Sequence, residues 1–406
     1  MSLIVQKLGG SSVADLDKII LVAHRIQSYV HRGDRLVVVV SAMGKTTDRL
    51  LEMAQQIHPS PPERELDMLL STGEQVSIAL LAMALSALGV EAIALTGGQA
   101  GIYTSNFHTK AKIITIDPQR ILRHLDESKI VIVAGFQGMS SDEDITTLGR
   151  GGSDTTACAL ADFCEIFTDV NGVFTADPRI VPQARKINRI SYDEMSEMAN
   201  LGAKVLQIRS VDFSQVYSVK VHVRSTFSQE EGTWVEKMRS MEDVKVRAIT
   251  HNGNVIKVVF LEVPDRPGIA ALIFKELADC SVSVDMIIQS EGREEKKDVA
   301  FVISKEDENL LKRVISRFSQ KVHFKGIKLD DTVAKISIVG AGIASDPNIA
   351  FRMFNTLSEH GINIDMISTS NLRISCLIPS KSMNEAIQAL HKEFIEDEEV
   401  SIHEEL

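Results

Sequence analysis

Five short β-branched runs, namely Ile4–Lys7, Leu36–Val40, Ala92–Leu95, Ile130–Ala134 and Glu165–Thr168, recur up to about residue 226 with helix-length segments between them. Strands that alternate with helices form a mostly parallel sheet covered on both faces. In such sheets ligands gather at the carboxyl ends of the strands, where loops turn into helices. The loops after these five runs are therefore where chemistry is expected.

The pattern weakens between Ser228 and Val246 into a polar, charge-rich stretch with a short helical segment, read as a connector, with a domain boundary near residue 240. Beyond it the sequence repeats itself at an offset of 80 residues: Pro267, Ile269, Ala270, Phe274 and Leu277 match Pro347, Ile349, Ala350, Phe354 and Leu357. The register continues from Asp285-Met286-Ile287 to Asp365-Met366-Ile367. Each copy reads strand, turn with Pro, amphipathic helix and β-branched strand, so this part is two copies of one small α/β unit. A chain of 406 residues accommodates two or three such domains.

Composition removes several functions. A net charge of −11 with no dense Lys/Arg block disfavours nucleic acid. Cys158, Cys164, Cys280 and Cys376 form no CxxC pair and no metal-ligand set with His, and read as reduced thiols of a cytoplasmic protein. Lys7 stands where a signal peptide would need its apolar centre. Val76–Leu95 approaches the length of a membrane span, but Gly89 and Glu91 interrupt it; the expectation is a buried helix, Gln75–Leu88, then a strand, Val90–Leu95.

The first run ends in Lys7-Leu8-Gly9-Gly10-Ser11-Ser12, with a helix expected near Asp15 and a capping-box spacing from Ser12 to Asp15. Two glycines before a helix N-terminus either cradle a phosphate or make a bare tight turn. The second run ends in Ser41-Ala42-Met43-Gly44-Lys45-Thr46-Thr47, which is no P-loop, because Val39 occupies the position of its first glycine. Its hydroxyls suit either an anion or a helix N-cap. In Leu148-Gly149-Arg150-Gly151-Gly152-Ser153-Asp154, before an expected helix Thr155–Asp162, Arg150 offers a fork for carboxylate or phosphate. Asp154 there either orients a lysine or caps the helix. Ser71-Thr72-Gly73-Glu74-Gln75 precedes the expected buried helix, where Glu74 serves a ligand or the helix dipole. Thr168-Asp169-Val170-Asn171-Gly172-Val173-Phe174, with Asp177-Pro178-Arg179, reads equally as turn or site.

Together these segments resemble the aspartate kinases of the amino acid kinase superfamily, over essentially the whole chain. Lys7-Leu8-Gly9-Gly10-Ser11-Ser12-Val13 is a close variant of that family's opening motif, and Ser71-Thr72-Gly73-Glu74 and Gly149-Arg150-Gly151-Gly152-Ser153-Asp154 match without change. The repeat is similar to paired ACT domains, and Asp265-Arg266-Pro267-Gly268 to their effector-binding turn. Leu8, Gln207-Ile208 and Asn348 depart from the usual aromatic, His-Pro and Gly.

The resemblance implies an α/β fold: a mostly parallel, three-layer kinase domain over residues 1–240, then βαββαβ ACT domains over 256–330 and 333–406. It implies ATP-dependent phosphorylation of L-aspartate with Mg2+, Lys7 at the transferring phosphates and Asp154 holding it. Gly9, Gly10 and Ser41 would line the triphosphate, and Thr168, Asp169, Phe174, Arg179 and Lys204 fall at nucleotide positions. Arg150 would grip the substrate α-carboxylate and Glu74 its α-ammonium, with Thr47 and Ser153 adding hydrogen bonds. Asp265, Gly268, Ile269, Ala270, Gln289, Asn363 and Ile364 would serve an effector, lysine and/or threonine, in a homo-oligomer paired through ACT domains; Asp285 and Asp365 are either structural or part of that site. No nucleic-acid or membrane partner is expected. The competing readings are a relative acting on acetylglutamate, glutamate or a nucleoside monophosphate, and a non-catalytic amino-acid sensor. Glu74 with Arg150 suits a zwitterion, and Lys7, Arg150 and Asp154 together favour catalysis.

Overall fold

The computed structural model describes residues 3–203, 205–238, 246–292, 295–343 and 346–396. Its first part runs β1 (Leu3–Leu8), α1 (Leu16–His31), β2 (Arg35–Val40), α2 (Thr46–Ile57), α3 (Glu63–Ala87), β3 (Ala92–Leu95), β4 (Ile102–Thr104), β5 (Ile113–Ile116), α4 (Gln119–Asp126) and β6 (Ile130–Ala134). It continues with β7 (Gln137–Met139), β8 (Ile145–Thr147), α5 (Gly152–Ala159), β9 (Phe163–Thr168), β10 (Arg189–Ile190), α6 (Tyr192–Asn200), α7 (Ile208–Tyr217), β11 (Lys220–Ser225) and β12 (Thr233–Val235).

Eight strands form one sheet in the order β10-β12-β11-β9-β1-β2-β6-β3, parallel from β11 to β3. Leu36, Val38 and Val40 of β2 join Leu8, Ile132 and the buried stripe of α1 (Ile19, Val22, Ala23, Ile26) in one core, while Val37 and Val39 are buried toward the opposite face. Both side-chain parities are apolar because helices cover both faces. From central β1 the chain passes to β2 on one side and later to β9 on the other, which opens a crevice at their carboxyl ends. A smaller sheet, β5-β4-β7-β8, packs its last strand on α3.

Several local expectations are corrected. Helix α3 begins at Glu63, twelve positions before the expected Gln75, with Pro62 at its N-cap and Glu63 and Glu65 in its first turn. By length and composition it could cross a membrane; in the fold it packs on α1 and β6 and buries Leu70, Ile78, Leu81 and Leu85. Asp15 alone caps α1, accepting from the Lys18 N–H at 2.9 Å, because an extra short turn, Gly10–Val13, buries Ser12 against the Thr226 hydroxyl at 2.6 Å. Helix α5 starts at Gly152, not Thr155. The expected connector contributes strand β12, and the rest of it, with any short helix, lies partly outside the described residues.

The chain divides into two compact units, one of Met1–Val173, Lys186–Ala199 and Lys204–Arg239, the other of Phe174–Arg185, Asn200–Ala203 and Ser240–Leu406. The second unit contains β13 (Ala248–Asn252), β14 (Val255–Pro264), α8 (Ile269–Asp279), β15 (Asp285–Gln289), β16 (Lys296–Ser304), α9 (Glu308–Ser319) and β17 (Gly326–Asp330). Then come β18 (Val333–Val339), α10 (Pro347–Glu359), β19 (Met366–Thr369), β20 (Arg373–Pro379) and α11 (Met383–His391). The first repeat closes its own sheet, β15-β16-β14-β17, over a core with Phe260 edge-on to Phe318 at 5.2 Å. The second does not: its sheet is β13-β18-β20-β19, so its fourth strand precedes the first repeat in sequence. In sequence, the first repeat therefore stands between β13 and the remaining strands of the second repeat's sheet. Ala176 and Val181, from the kinase-like part of the sequence, also lie in the second module's core beside Ile249, Ile336 and Met353.

Candidate active site

The loops after β1 and β2 meet through their backbones. The Ser41 N–H donates to the Leu8 carbonyl at 3.0 Å, and the Gly44 N–H to the Gly10 carbonyl at 3.0 Å. A Cβ on Gly10 would stand 2.9 Å from the Ala42 carbonyl oxygen, so any side chain there would part the two loops. The Gly9 N–H donates to the Phe167 carbonyl of β9 at 3.3 Å. Backbone of three adjacent strands thus converges at the switch point.

Into this crevice β1 delivers Lys7, whose Nζ lies 2.6 Å from Asp154 Oδ1 with both side chains largely buried. Asp154 and Ser153 occupy the first turn of α5 rather than its N-cap, which is Gly151 at a left-handed φ of 71°. A Cβ on Gly151 would strike Gln207 Cγ at 2.2 Å, so Gln207, at the N-cap of α7, packs directly on the Arg150 loop. Arg150 itself is exposed. Thr47 is half-buried in the first turn of α2; the Thr46 hydroxyl donates to the Met43 carbonyl at 2.7 Å, and Lys45 occupies the N-cap without a side-chain bond, so the N-cap reading of these hydroxyls fails.

Glu74 is the largest departure from the sequence reading. It lies mid-helix in α3, not at a helix start, and so has no dipole to complement. Its Oε1 accepts from the Ala42 N–H at 3.1 Å, and its buried Oε2 has no hydrogen-bond partner among the described residues. Burial pushes its pKa up to about 7, against the opposing hydrogen bond from Ala42. A buried carboxylate oxygen without a donor is costly unless it is neutralised or paired.

The remaining nucleotide candidates are dispersed. Thr168 ends β9 and donates to Asp169 at 3.1 Å. Phe174 and Arg179 belong to the second unit, where Arg179 pairs with Asp177 and lowers that carboxyl's pKa. Lys204 lies outside the described residues. Among the described residues no cluster of His, Cys, Asp and Glu is placed to hold a metal. Cys158, Cys164 and Cys376 are buried free thiols, and Cys280 is half-buried.

Sequence reading missed Asp67, fully buried on α3, and Arg209 on α7. Asp67, Ser71 and Glu74 follow i, i+4, i+7 spacing, a signal that becomes readable once the helix is known to start at Glu63.

In the second unit, Asp265 pairs with Lys297 at 2.7 Å, and Gly268 at φ 94° is the N-cap of α8 without a side-chain bond. Ile269 is buried in the module core, so only its backbone can reach a ligand; Ala270 is half-buried, Gln289 and Asn363 are exposed and Ile364 is half-buried. Asn348 is the second residue of α10, its N–H donating to the capping Asp346 at 2.8 Å, and its φ is not positive. Asp285 pairs with Lys335, and Asp365 with Lys257 at 2.6 Å.

The sequence matches the Amino acid kinase family over residues 2–225 and ACT domains over 257–322 and 336–394. It is 47% identical over 405 residues to the aspartokinase of Mycolicibacterium smegmatis, covering 97% of this chain and 96% of that one. The fold is similar to E. coli aspartokinase III in complex with aspartate and ADP, with a TM-score of 0.80 and 25% identity over 96% of this chain and 99% of that one. The same enzyme in complex with lysine and aspartate gives a TM-score of 0.76 at 25% identity, over 97% and 99% of the two chains. With the Lys7–Asp154 pair and the glycine loops at the switch point, these likenesses establish that the chain belongs to the aspartokinases, kinases of the amino acid kinase family that carry two ACT domains.

Proposed function

We propose that the chain transfers the γ-phosphoryl group of ATP to the β-carboxylate of L-aspartate, giving 4-phospho-L-aspartate and ADP, with the residue roles below. The observation that carries this is Lys7, held 2.6 Å from Asp154 between two glycine-bearing loops. The E. coli relative's complex with aspartate and ADP supports it.

A carboxylate with an ordinary pKa near 3.9 is ionised at neutral pH, so the nucleophile needs no base. Its oxygen attacks Pγ, the bond from Pγ to the bridging oxygen breaks, and the electron pair leaves on ADP; no proton moves. The difficulty is bringing anion to anion, so catalysis rests on alignment and on positive charge at the transferring group. Gly9, Gly10 and Ser41 line the triphosphate from the joined loops after β1 and β2, where glycine leaves room for a close approach, and Lys7, oriented by Asp154, stabilises the transferring charge. Magnesium, carried by the phosphates, neutralises charge when bound. Arg150 grips the α-carboxylate bidentately, while Glu74 Oε2 takes the α-ammonium. Thr47 and Ser153 add hydrogen bonds, and Thr168, Asp169, Phe174, Arg179 and Lys204 serve the nucleotide.

The product starts synthesis of lysine, threonine and methionine, and we propose feedback by lysine and/or threonine on a homo-oligomer joined through ACT modules. The complex of E. coli aspartokinase III with lysine supports an amino-acid effector. The first module's turn, Asp265 to Ala270, is the better receptor: its helix N-terminus lacks a side-chain cap, whereas Asp346 already supplies a carboxylate to the second. Gln289, Asn363 and Ile364 complete that reading.

An ADP-release assay across aspartate, glutamate, acetylglutamate and UMP tests the activity; turnover of another acceptor with none of aspartate refutes it. Arg150→Lys raises the aspartate KM about tenfold or more, because an ammonium cannot reproduce the fork. Gly268→Asp relieves inhibition while leaving uninhibited kcat within about threefold. Equal inhibition of parent and variant by lysine and threonine, singly and jointly, removes this turn from the effector site.

A further inference from the structure

Asp67 is a buried carboxylate that the transfer chemistry does not use. Both its oxygens accept from the Thr109 N–H at 3.0 Å, Oδ1 accepts from the Thr147 hydroxyl at 2.5 Å, and Oδ2 faces His108 Nδ1 at 2.8 Å. Thr147 ends β8, three residues before Arg150. From α7, Arg209 donates to the carbonyls of Leu148 at 2.6 Å and Ala111 at 2.9 Å. The Ala111 N–H donates to the Thr147 carbonyl at 2.9 Å, tying the two gripped segments together. An anion from one helix and a cation from another thus hold the base of the Arg150 loop. Bonds from a buried carboxylate and a half-buried guanidinium to two segments that are themselves joined rigidify the point where the loop leaves β8.

We propose that Asp67 is a positioning residue for the aspartate-binding loop: it sets the angle at which Gly149-Arg150-Gly151 leaves β8, and Arg209 completes the grip. This rests on the reading of Arg150 as the group that holds the substrate α-carboxylate. A displacement of about 1 Å at a binding fork is enough to cost one or two orders of magnitude. The small sheet would still pack on α3 without Asp67, so a merely structural role predicts lost stability with normal substrate constants.

Asp67→Asn keeps the volume but turns a donor toward groups that need an acceptor, and Thr147→Val removes one bond at constant shape. Asp67→Asn is expected to raise the aspartate KM about tenfold or more, with ATP KM and kcat within about threefold. Thr147→Val produces a smaller rise, and the double variant less than the product of the two, since both remove the same bond. Hydrogen exchange at the Arg150–Gly152 amides, measured on the full chain without substrate, should accelerate in both single variants. Arg150→Lys is run beside them. If Arg150→Lys raises the aspartate KM while Asp67→Asn changes neither KM nor exchange, the Asp67 assignment is overturned and the Arg150 reading stands. If Arg150→Lys leaves the aspartate KM unchanged, that reading falls and this proposal with it. Where Asp67→Asn does not fold, Thr147→Val carries both readouts.

Discussion

Buried charge is used differently in the two units of this chain. In the regulatory unit it is reciprocal: Lys335 of the second module, only 4% exposed, pairs with Asp285 of the first, and Lys257 of the first pairs with Asp365 of the second at 2.6 Å. Lys257 and Lys335 lie at matching places in the strands that open each repeat, and the two aspartates at matching places after the helix. A small apolar cluster, Met286 and Val302 with Met366 and Leu377, fills the space they enclose. In the kinase unit Lys7 and Asp154 pair with each other, while Glu74 keeps one oxygen without a partner among the described residues. Charge matched within the protein fastens modules, whereas a buried carboxylate oxygen without a partner costs stability unless something else satisfies it.

Lys7→Ala and Lys335→Met set the two uses against each other. The largest effect belongs to Lys7→Ala, which should lower kcat about 100-fold or more with a limited change in the aspartate KM, because its charge matters most in the transition state. Near-normal turnover would remove Lys7 from the transfer step.

Lys335→Met should leave kcat within about twofold but cost roughly 2 kcal/mol of stability, since Asp285 loses its main counter-charge at a half-buried position. Asp285 is held below the usual carboxylate range by Lys335 and Arg373 against the opposing pull of burial. The pair therefore stabilises above the unfolded aspartate pKa and its contribution fades as pH falls through the lower folded value. Denaturant unfolding at pH 7 and at pH 3 measures both; an equal loss at the two pH values breaks the argument.

Glu74→Gln comes next. With a pKa near 7 in the free enzyme, Glu74 should give kcat/KM for aspartate an acidic limb near pH 7, and the variant should lose that limb along with about tenfold of kcat/KM. The stability sign is opposite to that of Asp285. The raised folded pKa makes ionised Glu74 a cost that is absent below the unfolded value and fully present above about pH 7, so the variant should melt higher than the parent at pH 8 and gain nothing at pH 4. Melting curves at both pH values check this. The smallest effect is Lys257→Met, expected to cost less than about 1 kcal/mol because Lys257 is 20% exposed where Lys335 is 4%, and water screens the pair. A loss equal to that of Lys335→Met would show that exposure does not separate the two pairs.

The sequence by itself determined what is local. The runs that became β1, β2, β3, β6 and β9 are short and contiguous, with β2, β3 and β6 apolar on both parities, a glycine pair stands directly after β1, and the repeat keeps its register along the chain. Lys7 and Asp154 were nominated by loops whose positions follow from those strands. Only the tertiary structure decided what depends on distant partners. Residues 63–74 bury Asp67, Ser71, Gly73 and Glu74 on one side of a helix, where Thr109 and Thr147 donate to Asp67 and Ala42 to Glu74 from segments that no local pattern links to them. Ala248–Asn252 joins the second module and not the neighbouring first because antiparallel pairing with Val333–Val339 completes that sheet, while the first already has four strands. Periodicity records which residues of a segment are buried, and it carries no information about which distant segment buries them.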